Sequence, residues 1–67
     1  MNNFRMMKRP EVEAVTGLSR SSIYAKVKDG SFPAQIVLGV RSVGWLEHEV
    51  QEWVKNRVSA SRQGGVQ

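Results

Sequence analysis

The chain has 67 residues with ten Lys and Arg against six Asp and Glu, a net charge of +4, so it has room for one domain and one small core and none for an enclosed catalytic cavity. With no cysteine and a single histidine, His48, it cannot build disulfides, a thiolate zinc site or a thiol nucleophile, and no metal or cofactor is expected. No apolar run approaches the roughly 20 residues of a membrane span, and the start Met1-Asn2-Asn3-Phe4-Arg5 has no signal-peptide core, so a soluble, cytoplasmic protein without membrane contact is expected.

Met6 and Met7 read as core filler or as part of an unstructured start. Pro10 is preset for the first turn of a helix, because its missing N–H is not needed there. Val12 and Val15 then share a face, Glu11 and Glu13 suit the positive end of the helix dipole, and Gly17 ends the helix after Thr16. Ser19 is a good N-cap for a second helix starting at Arg20, and Leu18 before it can staple onto Ile23. Ile23 and Val27 form its inner face, Ser21, Ala25 and Lys28 point away, Tyr24 lies at the side, and Gly30 supplies the left-handed stop.

Phe32-Pro33 cannot continue a helix. Gln35–Leu38 reads as a strand from its β-branched content, Gly39-Val40-Arg41 as a turn, and Ser42–Leu46 as the returning strand. Val50, Trp53, Val54 and Val58 recur at helical spacing and mark a third helix over about Glu47–Ala60. Trp45 and Trp53 are expected to be most of the core. Residues 61–67, with two adjacent glycines, are expected to fray, so the ordered domain is residues 1–60 and the rest a flexible tail. The fold class is mainly α with a small β-hairpin, in the order helix, helix, hairpin, helix, which is a winged helix-turn-helix plan.

The charge is uneven. Up to Gly30, Arg5, Lys8, Arg9, Arg20, Lys26 and Lys28 stand against Glu11, Glu13 and Asp29, while from Glu47 onward Glu47, Glu49 and Glu52 balance Lys55, Arg57 and Arg62. A polyanion should therefore meet the N-terminal half first. In the helix-turn-helix plan the second helix enters the major groove of double-stranded DNA, and its start carries hydroxyls, backbone N–H groups and the Arg20 guanidinium, the residue best suited to read a guanine bidentately. Tyr24 and Lys28 lie within reach of the phosphate backbone, and Arg41 at the hairpin tip is the candidate for the wing contact. Ser19 is a cap whatever the protein binds, and Tyr24 can also pack its ring on the domain.

The runs Glu11-Val12, Thr16-Gly17-Leu18-Ser19-Arg20-Ser21-Ser22-Ile23-Tyr24, Gly30-Ser31-Phe32-Pro33, Leu38-Gly39-Val40-Arg41-Ser42-Val43-Gly44-Trp45 and Glu49-Val50-Gln51-Glu52-Trp53 resemble, in residues and in spacing, the AlpA family of phage and prophage regulators. The resemblance spans Met7 to roughly Arg57, with wider kinship to excisionases and MerR-type DNA-binding domains. It implies a cytoplasmic bacterial regulator of a prophage or other integrated element, with a recognition segment of Ser19, Arg20, Ser21, Ser22, Tyr24 and Lys28 and a wing at Arg41. Ser22 stands where the family commonly has threonine, and Val40 is larger and less turn-prone than the glycine, serine or charged residue expected at the wing tip.

Three functions are compatible with these residues. One is a sequence-specific transcriptional regulator of a prophage or integrated element, with RNA polymerase or an integrase as candidate partners. A second is an excisionase-type factor that bends DNA and assists an integrase, and self-association on DNA fits both. The third is a protein-interaction module, which the positive charge on both helix and wing argues against. Catalysis is not expected, since no nucleophile and base can be paired.

Overall fold

A computed structural model of the chain describes residues 4–64. The elements are β1 (Met6–Met7), α1 (Arg9–Thr16), α2 (Arg20–Asp29), β2 (Ile36–Gly39), β3 (Ser42–Leu46) and α3 (Glu47–Gly64). The order helix, helix, hairpin, helix is the winged helix-turn-helix expected, with one short strand added in front.

That added strand makes the hairpin a three-stranded sheet of order β1-β3-β2. β1 pairs antiparallel with β3, Met6 opposite Leu46 and Met7 opposite Trp45, and β2 pairs along the other edge, Ile36 opposite Gly44 and Val37 opposite Val43. Gly44 lies where both neighbours close in: a Cβ there would come to 3.0 Å from the Leu38 side chain and 3.1 Å from the Met7 carbonyl oxygen. The strand preceding the turn begins at Ile36 instead of Gln35 and continues through Gly39, leaving Val40-Arg41 as a tight turn with a register shift between Val37 and Gly39.

The core is Met7, Val12, Ile23, Phe32, Trp45 and Val50, so each helix, β1, β3 and the loop after α2 contributes one buried side chain. Each is worth roughly 1.5–3 kcal/mol of apolar burial, which makes every element depend on the others. Met7 is therefore core and strand, and Phe32 is buried from the loop after α2. Trp45 is wholly buried, and its indole N–H donates to the Pro33 carbonyl at 2.9 Å. Trp53 differs from the expectation. It only packs against the core from its edge, its ring meeting Phe32 edge-on at 5.0 Å and its N–H donating to the Ser31 carbonyl at 2.7 Å. Val15 is exposed, because the two-turn α1 reaches the core through Val12 alone.

The helix-turn-helix joint is held locally. Gly17 takes φ 76° and donates its N–H to the Glu13 carbonyl, closing α1 with a left-handed residue. The Thr16 hydroxyl donates to the Val12 carbonyl at 2.7 Å and accepts the Leu18 N–H at 3.2 Å, so one side chain braces both sides of the turn. At the other end of the chain α3 does not stop at Ala60: it continues through Gly64, so residues 61–64 of the expected tail are helical. Ser61-Arg62-Gln63 contains no helix breaker, and Arg62 in the last turn suits the negative end of the dipole. Residues 65–67 of that tail lie outside the described residues.

Candidate nucleic-acid interface

α2 begins at Arg20 because Ser19 caps it. The Ser19 backbone is extended, its hydroxyl oxygen accepts the Ser22 N–H at 3.1 Å, and its O–H donates to the Ser22 hydroxyl oxygen at 3.1 Å. Ser19 is exposed and Ser22 half-buried, so the two hydroxyls form a linked pair at the helix start. The helix closes at Gly30, φ 86°, whose N–H reaches the carbonyls of Lys26 and Val27.

Between these ends one face is turned inward by Ile23 and, partly, Val27. That orientation sets the remainder. Arg20, Tyr24 and Lys28, at i, i+4 and i+8, form a single ridge about 12 Å long, flanked by Ser21 and Ala25. Arg20, Ser21, Ala25 and Lys28 are exposed, whereas Tyr24 is half-buried with its ring 6.1 Å from that of Trp45. The expected recognition segment therefore lies on one helix and its cap, but its residues are not equivalent: Ser22 turns toward the capping serine, and Tyr24, in the middle of the ridge, is also held by β3.

Arg41 sits apart from α2. It is exposed at the tip of the hairpin with φ 57°, a left-handed conformation that side chains other than glycine and asparagine rarely take. Three strand residues, Ser42, Val43 and Gly44, separate it from Trp45, a span of roughly 13 Å, and the Tyr24–Trp45 contact joins α2 to the same strand. Val40 beside it is 92% exposed.

The pairing of charges sorts the basic residues further. Arg5 meets Glu47 at 3.6 Å and Arg9 meets Glu13 at 2.9 Å. Among the described residues no carboxylate pairs with Arg20, Lys28 or Arg41. Near the end of α2 the Ser31 N–H donates to Asp29 at 2.9 Å, and hydrogen bonding to Ser31, with a smaller contribution from the charge of Lys26, holds the Asp29 carboxyl below the usual carboxylate range. The sequence reading passed over one cation near the wing. Lys8 donates to the Ser42 hydroxyl oxygen at 2.9 Å, a contact across the sheet that carries no signal in the sequence, since Pro10 at the first helical position would make Arg9 the cap and α1 in fact begins at Arg9.

Among the described residues, no group of His, Cys, Asp and Glu could hold a metal ion, and no helix is long and apolar enough to cross a membrane. The exposed ridge and the hairpin tip present donors and positive charge, a surface suited to anionic oxygens.

The chain is similar in sequence to known proteins. The chain is 39% identical to the DNA-binding transcriptional activator AlpA of Escherichia coli (strain K12), covering 85% of this chain and 94% of that protein. It is 42% identical over 60 residues to the uncharacterized protein ORF88 of Enterobacteria phage P4, covering 90% of this chain and 68% of the phage protein. The family model described as prophage CP4-57 regulatory protein (AlpA) matches residues 5–58, from the segment before β1 well into α3, and on that extent the chain belongs to the AlpA family.

Proposed function

We propose that the chain binds double-stranded DNA as a transcriptional regulator of a prophage or related integrated element in the bacterial cytoplasm, with α2 in the major groove and the hairpin along the neighbouring backbone. The observation that carries this reading is the Arg20–Tyr24–Lys28 ridge: its two ends, Arg20 and Lys28, are exposed cations that no carboxylate among the described residues neutralises, whereas Arg5 and Arg9 are paired. Positive charge left unpaired along one face is what a phosphate backbone rewards through counterion release. The AlpA relative supports the same reading by its description as a DNA-binding transcriptional activator.

In this reading Arg20 reads a base edge, Ser19, Ser21 and Ser22 meet phosphate oxygens at the helix start, and Tyr24, Lys28 and Arg41 contact the backbone. A single copy of so small a module covers roughly half a helical turn, since one such unit buries only about 600–1,000 Å². Selective binding in a genome then requires more than one copy on the DNA, or a protein partner such as RNA polymerase or an integrase.

Footprinting on DNA from the element that encodes the protein tests the proposal. Discrete protected segments, lost on scrambled sequence, are expected. Uniform weak protection of every sequence would reduce the protein to a non-specific binder, and no protection at all would remove DNA as its partner.

A further inference from the structure

Lys8 occupies the N-cap of α1 in extended conformation, φ −84° and ψ 163°, and makes no side-chain cap bond. This position favours Ser, Thr, Asp or Asn, whose oxygen satisfies a free amide, and the positive end of the helix dipole disfavours a cation. The side chain turns away and its ammonium donates to the Ser42 hydroxyl oxygen at 2.9 Å, joining residues 34 apart in sequence. Ser42 directly follows Arg41 in the chain, and Arg41 breaks a local preference too, with φ 57° in a region that suits glycine or asparagine. Two departures from local preference thus converge at one end of the hairpin, each bringing a positive charge there. A departure from local preference is where a functional role is to be sought.

The neighbours sharpen the contrast. Arg5 and Arg9, on either side of Lys8, are neutralised by Glu47 and Glu13, and among the described residues no carboxylate pairs with Lys8 or Arg41. Ser42 is uncharged, so it fixes the direction of the ammonium without cancelling its charge. Lys8 also follows β1, whose pairing with β3 through Met6 and Met7 fixes its backbone against the sheet.

We infer that Lys8 and Arg41 form a two-cation clamp on the phosphodiester backbone at the wing, with Ser42 as the residue that positions Lys8; the inference rests on the DNA-binding reading above. The ligand is the phosphate oxygens alone, so the clamp adds affinity and register without reading sequence.

Binding of the full chain to a specific and a scrambled duplex, measured between about 50 and 200 mM salt, tests it. Lys8→Ser should lower affinity about 5- to 10-fold near 0.1 M salt on both duplexes and flatten the slope of log affinity against log salt by about one unit. The same variant gains a capping residue, so its Tm should rise by a few degrees, which separates lost binding from lost folding. Lys8→Arg should restore the slope, and Lys8→Ser combined with Arg41→Ala should flatten it by about two units. A Lys8→Ser protein with the wild-type slope overturns the clamp, and if Arg20→Ala still loses discrimination the reading of α2 stands. Binding by the wild type that is absent or independent of salt overturns both.

Discussion

The ring of Tyr24 on α2 lies 6.1 Å from that of Trp45 on β3, tilted by 57°, so the candidate recognition helix and the hairpin are registered through one aromatic pair. Trp45 is wholly buried and anchored by its bond to the Pro33 carbonyl, which makes it the fixed half of the pair. Tyr24 then has two separable properties, a ring that packs and a hydroxyl that the proposed function places against phosphate. Tyr24→Phe should leave the melting temperature nearly unchanged and lower DNA affinity by about 0.5–1.5 kcal/mol, the worth of one hydrogen bond. Tyr24→Ala should lower both. Equal binding by Tyr24→Phe and wild type would confine Tyr24 to a packing role.

Arg20 is exposed, unpaired by any carboxylate among the described residues, and one residue beyond the cap. Arg20→Ala should therefore keep the fold within about 0.5 kcal/mol and cost roughly 1–3 kcal/mol of binding to a specific duplex, with relaxed preference at one base pair. Titration against specific and scrambled duplexes decides between roles. An equal loss on both would make Arg20 a phosphate contact.

The helix-turn-helix was legible because its signals are local: Ser19 capping, Leu18 stapling toward Ile23, and glycines at both helix ends. Nothing local marks Met6-Met7 as a strand, since two residues carry no periodicity and the pairing partner lies some forty positions on at Trp45 and Leu46. The end of α3 is obscure in the sequence for the opposite reason: adjacent glycines mark a tail, while the residues just before them are ordinary helix formers. Trp53 was expected in the core on size and helical spacing, but spacing fixes only a face, and this face lies at the edge of the core beside Phe32. For the candidate site, sequence proposes the α2 residues and Arg41 from local chemistry but offers no sign of Lys8, whose place in the proposal depends on a contact with Ser42 across the sheet.

Asp29 makes stability depend on pH in a defined sense. Hydrogen bonding to Ser31 and the nearby Lys26 charge depress its pKa in the folded state, so the stabilisation is fully present above the unfolded value, near 4, and is lost as pH falls through the lower folded value. Asp29→Ala should consequently be less stable than wild type at neutral pH, with the difference shrinking in strongly acidic buffer. Thermal melts of both proteins from neutral pH downward check the sign. A difference that grows toward acid would contradict it.

The two tryptophans should separate under the same substitution. Trp45 is fully buried, is touched by Tyr24, and satisfies its N–H inside the fold, so Trp45→Ala leaves a cavity and an unpaired Pro33 carbonyl and should cost about 3–5 kcal/mol. That equals the net stability expected of so small a domain, and the variant should be largely unfolded at ambient temperature. Trp53 is only partly buried, and its removal forfeits one edge contact with Phe32, one bond to the Ser31 carbonyl and the stacking of Arg57, whose guanidinium lies 5.2 Å from the ring centre. These contacts together are worth about 1–3 kcal/mol, so Trp53→Ala should remain folded in the cold with a clearly lowered Tm. Its DNA binding, measured well below that Tm, should match wild type, because the proposed contacts lie on α2 and the hairpin. Melts and titrations of both variants give the answer. A folded Trp53→Ala protein that no longer binds would move the binding surface onto α3 and overturn the assignment of the α2 ridge.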